Sequence, residues 1–467
     1  MNNELFMLFS VLCPYAMVAA GALAALLSWI YFKDRPNYKV TSYIASMFLI
    51  AAYAFLLSWN GAYGTVINLN IMVSPSVSFL TGLIIFITLF SVISASNRVK
   101  EPEIKAGEYY SFLLTLCLGA MLMISAKDAL TVFLSLELLS MSIYALTGIT
   151  ATHNSAESAL KYFILGSFAS VFMLMGLALI YGSTGTLEYG GIRAAIFLSY
   201  PGKTLIAGIL FMLVGFMFKI ALVPFHFWTP DVYEGAPTQV SAIMASVIKT
   251  AGVAAMLNLF INAADTRIMA VTAFFASFTM LFANIMALPQ KNVKRMLAYS
   301  SISHAGYLIL GFLILESWQV FFYLLVYSLA TFGAFTIVML LEKKENGLEV
   351  EEFNGLFTKN PLLSFSMAIF LFSLAGVPPM AGFFGKFYLF SAAIKAGWLW
   401  PTVIAVISSA ISLYYYLKVI VAMFMKDSSE SETCKISPNG YLTVSIFAAL
   451  TLTLGFFSTP LIEILTK

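Results

Sequence analysis

Runs of about 20 or more apolar residues recur from one end of the chain to the other, and no other feature limits its fold as much. A helix of that length crosses a hydrocarbon core of about 30 Å. Counting the runs gives about fourteen spans, near residues 5–32, 40–59, 72–97, 109–126, 128–150, 155–182, 203–224, 238–262 and 267–289, a tenth that follows KNVKR and ends near 316, an eleventh that ends near 341, and three more near 361–396, 401–425 and 440–465. The residues are 61% hydrophobic and 10% charged, whereas soluble domains carry about 25% charged residues. The chain is therefore expected to be an all-α polytopic membrane protein, and a soluble enzyme is excluded. A net charge of +3, spread over loops, leaves no footprint for nucleic acid. Cys13, Cys117 and Cys434 lie far apart without CxxC or Cys/His spacing, so neither a disulfide frame nor a metal or redox-cofactor site is indicated. The first apolar run lacks a basic leader and is too long for a signal sequence, so it reads as a retained helix.

Two of the runs are interrupted. In KIALVPFHFWTPDVYEGAPTQVSAIMASVIK, residues 219–249, Pro224, Pro230 and Pro237 break the seventh span, and in LAGVPPMAGFFGKFYLF Pro378 and Pro379 break the twelfth. Irregular backbone at membrane depth is tolerated only where protein or a water-filled cavity satisfies its N–H and C=O groups. Tyr162, Ser167 and Ala169 match Tyr323, Ser328 and Ala330 at one offset, and the Val-Pro pairs of the two breaks recur likewise. Paired broken helices are the mark of inverted repeats with sites near the midplane. The expected organisation is three N-terminal spans (1–108), a first five-helix repeat (109–262), a second, inverted five-helix repeat (263–425) and a final span (426–467). Each repeat contains one broken helix.

Ionisable residues inside the spans are the candidate functional groups, because each costs about 2.5 to 3.5 kcal/mol to insert. Glu137 lies ten residues past Lys127, roughly 15 Å into the bilayer at about 1.5 Å per residue. Lys161, Lys219 and Lys249 are the cations available to it. A lysine with a movable acidic neighbour works as a switch: a close carboxylate favours the ammonium, and a withdrawn one releases the proton. The plainer alternative is a salt bridge that only holds helices together, although desolvation offsets much of the attraction in a buried pair. Lys161 is near a helix start, where snorkelling competes with a path role. His304 suits a proton relay, or a hydrogen bond to a neighbouring helix. His226 sits in the first break, as path lining or as a tie to backbone carbonyls. Lys386 follows the second break among glycines. His153 reads as a solvated loop residue, and Lys395 and Lys418 as snorkelling anchors.

Orientation follows from the loop cations. One side carries Lys33, Arg35, Lys39, Arg98, Lys100, Lys105, Lys291, Lys294, Arg295, Lys343, Lys344, Lys359, Lys426 and Lys435. The other carries only Lys127, Arg193, Lys203, Arg267, Lys395 and Lys467. The excess marks the cytoplasmic face and places both termini outside, on the periplasmic side of a bacterial inner membrane.

Four motifs, SLELLSMSIYAL, KIALVPFHFWTPDVYEGAPT, QKNVKRMLAYSSISHAGY and LAGVPPMAGFFGKFYLF, resemble the antiporter-like proton-translocating subunits of respiratory complex I (NADH-quinone oxidoreductase) and their relatives in cation/proton antiporters and membrane-bound hydrogenases. The resemblance covers nearly the whole chain. The chain stops after the last span without the long lateral helix typical of L-type members, and Lys386 stands where M-type members are expected to carry a glutamate. The resemblance implies proton-path roles for Glu137, Lys161, Lys219, Lys249, His304 and Lys386, with His226 as possible lining. It also implies a translocase function coupled to electron transfer from NADH to quinone. No cofactor is implied in this chain; NAD, FMN, iron-sulfur clusters and quinone belong to partner subunits. Expected neighbours are subunit M and small subunits such as K and J. Rival readings are an independent cation/proton exchanger and a structural spacer without its own proton path.

Overall fold

In a computed structural model of the chain, the described residues are 2–31, 38–61, 70–96, 105–198, 202–260, 266–314, 318–342, 347–427, 436–458 and 462–463. Cys434 and the loop cations Lys33, Arg35, Arg98, Lys100, Lys343, Lys344, Lys435 and Lys467 lie outside them. Among the described residues there is no β-strand, only isolated bridges that pair Ile71 with Ala126, Asp128 with Glu188, and Asn292 with Glu349. Twelve helices among the described residues are long and apolar enough to cross a membrane. The seventh and twelfth expected spans are not among them, because each is split into two shorter helices. The protein is thus an all-helical, multi-pass membrane protein.

The chain forms two compact units. The first holds Met1–Ile220 and Val247–Ile268. Its helices are α1 (Asn2–Tyr31), α2 (Tyr38–Leu56), α3 (Pro75–Ala95), α4 (Ala106–Ser125), α5 (Ala129–Thr147), α6 (His153–Thr184), α7 (Tyr189–Leu198) and α8 (Lys203–Lys219). Their starts are written in the sequence. Ser74 before Pro75, Asp128 and Thr152 each accept an otherwise unpaired first-turn N–H, from Val77, Thr131 and Ser155. Lipid gives helices no hydrophobic reason to associate, so close backbone packing by small residues must do it. Gly176 of α6 and Gly208 of α8 meet that need: a Cβ on Gly176 would fall 2.8 Å from the Gly208 carbonyl oxygen.

The second unit holds Ala221–Ser246 and Met269–Lys467. It contains the short helices α9 (Trp228–Gly235) and α10 (Thr238–Ile243), after which a π-turn, Met244–Ile248, leads into α11 (Lys249–Phe260) of the first unit. Then come α12 (Thr266–Ala287), α13 (Val293–Leu310), α14 (Trp318–Leu341), α15 (Leu356–Lys359), α16 (Pro361–Ala375), α17 (Ala381–Lys395), α18 (Leu399–Met425) and α19 (Pro438–Phe456). The centre of the unit is α14, which packs on α10, α13, α16, α17 and α19. A helix apolar on every side belongs in such a place.

Both breaks end in left-handed backbone. After α8, Ala221 takes φ 64°, and after α16, Gly376 takes φ 84°. The second break accounts for its own helix end. The Gly376 and Val377 amides donate to the Phe372 carbonyl at 3.0 Å, and Gly376 also reaches Ser373. The carbonyls of Leu374 and Ala375 remain, and a helix C-terminus must find partners for them.

Candidate functional site

Two lysines meet the ends of the two half-helices, one in each unit. In the first unit Lys219 is the last residue of α8, where the helix dipole favours a cation. It is 4% exposed. Its Nζ donates to Ser140 Oγ at 2.8 Å and to Tyr162 OH at 3.4 Å. The ring centroids of Tyr144 and Tyr162 lie 5.8 and 5.4 Å away, close enough for attraction to their π faces. Glu137 stands three residues before Ser140 on α5, half-buried, and its carboxylate accepts from Ser170 Oγ of α6. Among the described residues no ion pair of 4.0 Å or less joins Glu137 to Lys219. Each is held by a serine. The arrangement is a carboxylate and an amine on two helices, apart and separately tethered by neutral hydroxyls.

The other lysines of this unit differ in setting. Lys161 bonds Glu157 at 2.8 Å one turn away, and its side chain is 43% exposed. Lys249, at 2% exposure, follows the π-turn directly, and such turns recur at functional sites. Ile220, the residue after Lys219, lies under Gly252 of α11, so Lys249 and Lys219 belong to neighbouring helix ends.

In the second unit Lys386 takes over the carbonyls left by α16. Its Nζ donates to Leu374 O at 2.9 Å, to Ala375 O at 3.0 Å and to Ser409 Oγ at 2.8 Å. An ammonium has three donors, and all three are used. The amine also sits 4.9 Å from the centroid of Tyr307. Tyr307 also meets the ring of His304 edge-on at 5.5 Å. Tyr307 thus touches both His304 and Lys386. His304 bonds Tyr323 OH through Nδ1 at 2.7 Å and Tyr416 OH through Nε2 at 3.3 Å. His226, buried in the first break, lies 4.6 Å from Phe227 and 5.0 Å from Phe282 between ring centroids, and among the described residues its Nδ1 has no hydrogen-bond partner. A buried polar atom without a protein partner is where ordered water is to be sought.

The structure therefore brings Glu137 and Lys219 to one cluster and His304 and Lys386 to another, and leaves Lys161 half-exposed, eight residues into α6. Sequence reasoning missed the hydroxyls of Ser140, Ser170 and Ser409, of which only Ser140, one turn from Glu137, gave any signal. It also took Lys294 for a loop cation. Lys294 is fully buried, and its Nζ donates to the Ala236 carbonyl at 2.8 Å. Asn292 caps α13 through the Arg295 amide, so the lysine sits inside the first turn. Beside it Arg295 bonds Asp231 and Glu234 of α9 at 2.9 and 2.7 Å. Among the described residues no group of three or more His, Cys, Asp or Glu could hold a metal ion.

Residues 126–412 match the family described as NADH:quinone oxidoreductase/Mrp antiporter, transmembrane. The chain is 36% identical over 470 residues to an NADH-quinone oxidoreductase subunit N of Chloroflexus aggregans, covering 98% of this chain and 96% of the relative. It superposes on a chain of respiratory complex I from Thermus thermophilus with a TM-score of 0.83 at 33% identity, covering 96% of this chain and 98% of that one. A chain of an archaeal membrane-bound sulfane sulfur reductase shares the fold, with a TM-score of 0.87 at 24% identity over 97% of this chain and 96% of its own.

Proposed function

The chain belongs to the NADH:quinone oxidoreductase/Mrp antiporter family, among relatives named NADH-quinone oxidoreductase subunit N, and from that premise we propose that it carries protons through its own buried Glu, Lys and His residues. Electron transfer from NADH to quinone in partner subunits drives the movement. In this reading FMN, iron-sulfur clusters and quinone stay with those partners, subunit M and small subunits such as K and J flank the chain, and the complex lies in a bacterial inner membrane with both termini periplasmic. Fourteen crossings, the twelve apolar helices and the two broken ones, make up the path-bearing fold, with two inverted five-helix repeats at its centre.

The observation that carries the reading is Lys219. A buried amine whose acceptors are two neutral hydroxyls, with a carboxylate one helical turn from the nearer of them, is arranged for exchange rather than for a fixed salt bridge. A proton taken up from the cytoplasmic side by way of Lys161 loads Lys219 when Glu137 leaves Ser170 and approaches. When Glu137 returns, the proton is released toward Lys249, and His304 and Lys386 pass it to the far side. The test is Lys219→Ala in the whole complex in membrane vesicles, with proton pumping read against electron transfer and assembly checked on a native gel. Loss of pumping in an assembled complex is expected. Normal pumping would leave the chain a spacer.

A further inference from the structure

We propose that Tyr416 and Tyr323 hand protons to and from His304, so that Ser300, Tyr416, His304 and Tyr323 form one proton wire through α18, α13 and α14. The proposal rests on the reading of His304 as a path residue and adds the groups that would serve it. Tyr416 OH is in direct hydrogen bond with Ser300 Oγ and lies 3.3 Å from His304 Nε2, while His304 Nδ1 is 2.7 Å from Tyr323 OH. All three rings are buried. A neutral imidazole donates from one nitrogen and accepts at the other, and a phenol does both with one oxygen, so the four groups can be polarised in a single direction.

The transfer balances without any charged intermediate on a tyrosine. A proton arrives on Tyr416 O as that residue's own O–H proton passes to His304 Nε2. The Nδ1 proton passes to Tyr323 O, and Tyr323 gives up its original proton onward. One proton has entered and one has left, and His304 has changed tautomer. Run the other way the balance is the same. A neighbouring tyrosine of equal burial uses its hydroxyl differently: Tyr327 donates to Ser301 Oγ at 2.8 Å.

The experiment compares Tyr416→Phe, Tyr323→Phe, Tyr327→Phe and His304→Ala in the assembled complex in vesicles, reading proton pumping, electron transfer and thermal stability. The Phe variants keep each ring and remove only its hydroxyl. Tyr416→Phe and Tyr323→Phe are expected to lower this chain's share of pumping roughly a hundredfold or more, the range set by loss of a proton-transfer group. Tyr327→Phe is expected to keep pumping although it loses an equally buried hydroxyl. Equal losses in all three would make the hydroxyls structural and overturn the wire. Full pumping in Tyr416→Phe and Tyr323→Phe with loss in His304→Ala would overturn the wire and leave His304 on the path; full pumping in His304→Ala as well would overturn both. Should Tyr416→Phe fail to assemble, Ser300→Ala cuts the same chain at its end with the same expected results.

Discussion

An ammonium buried in protein has three N–H groups to satisfy, and the two break lysines do so unequally. Lys386 has two backbone carbonyls and Ser409, whereas Lys219 has Ser140 and, at 3.4 Å, Tyr162. An unsatisfied buried donor costs about 1 to 3 kcal/mol, and more when charged. Ser140→Ala leaves Lys219 with the long bond alone, while Ser409→Ala leaves Lys386 with both carbonyls. Pumping by vesicles is therefore expected to fall much further in Ser140→Ala than in Ser409→Ala, and the reverse order would contradict the contrast between the two sites. Glu137→Ala, which removes the movable partner altogether, is expected to abolish pumping in a complex that still assembles on a native gel. The lysines and Glu137 were legible in the sequence because a charge in an apolar run is costly and has to be explained. Their serine partners were not, since a seryl hydroxyl can bond a carbonyl of its own helix, as Ser140 does to Leu136, and leaves no such mark; a tyrosine in an apolar run reads as packing surface.

At the scale of helices, the breaks were legible from their prolines, and each span appears as two shorter helices. What the prolines could not indicate is how each half-helix ends. The left-handed region costs a residue with a Cβ about 1 to 2 kcal/mol, and glycine occupies it freely. Gly376 uses that freedom and also lies against Lys386, whose Cδ would be 3.0 Å from an added Cβ. Gly376→Ala is thus expected to lower the thermal midpoint of the complex and to displace the lysine, reducing pumping with it. Ala221 already bears the strained φ of 64°. Relief of that strain in Ala221→Gly offsets glycine's greater entropy in the unfolded chain, so the midpoint should hold or rise. A fall in Ala221→Gly matching that of Gly376→Ala would show that left-handed backbone is not what fixes the two ends. Lys294 illustrates the opposite limit of sequence reading. The first turn of α13, the Ala236 carbonyl and the backbone at Gly347 turn a surface cation into a buried one, and only the packing of α13 makes that visible.

For the molecule as a whole, hydropathy was enough to give the class and nearly every span, because length and apolarity are what a bilayer selects. It says nothing about how two similar lysine sites, one in each compact unit, share the work. If both lie on one route, each proton must visit Lys219 and Lys386 in turn, and blocking either blocks all. If each unit runs its own route, blocking one spares the other. Mutations acting on one linear process are strongly non-additive, whereas independent ones add. Lys219→Met and Lys386→Met keep the length of the side chain and remove its charge, so the comparison is of proton handling and not of volume. On the route proposed here each single variant loses this chain's whole contribution to pumping, and the double variant loses no more. The measurement is the number of protons moved per electron pair in vesicles containing the assembled complex. Equal ratios for the two single variants and the double variant support one route; single variants that each lose part, with a double that loses the sum, would mean that the units work in parallel and that transfer from Lys249 to His304 does not occur.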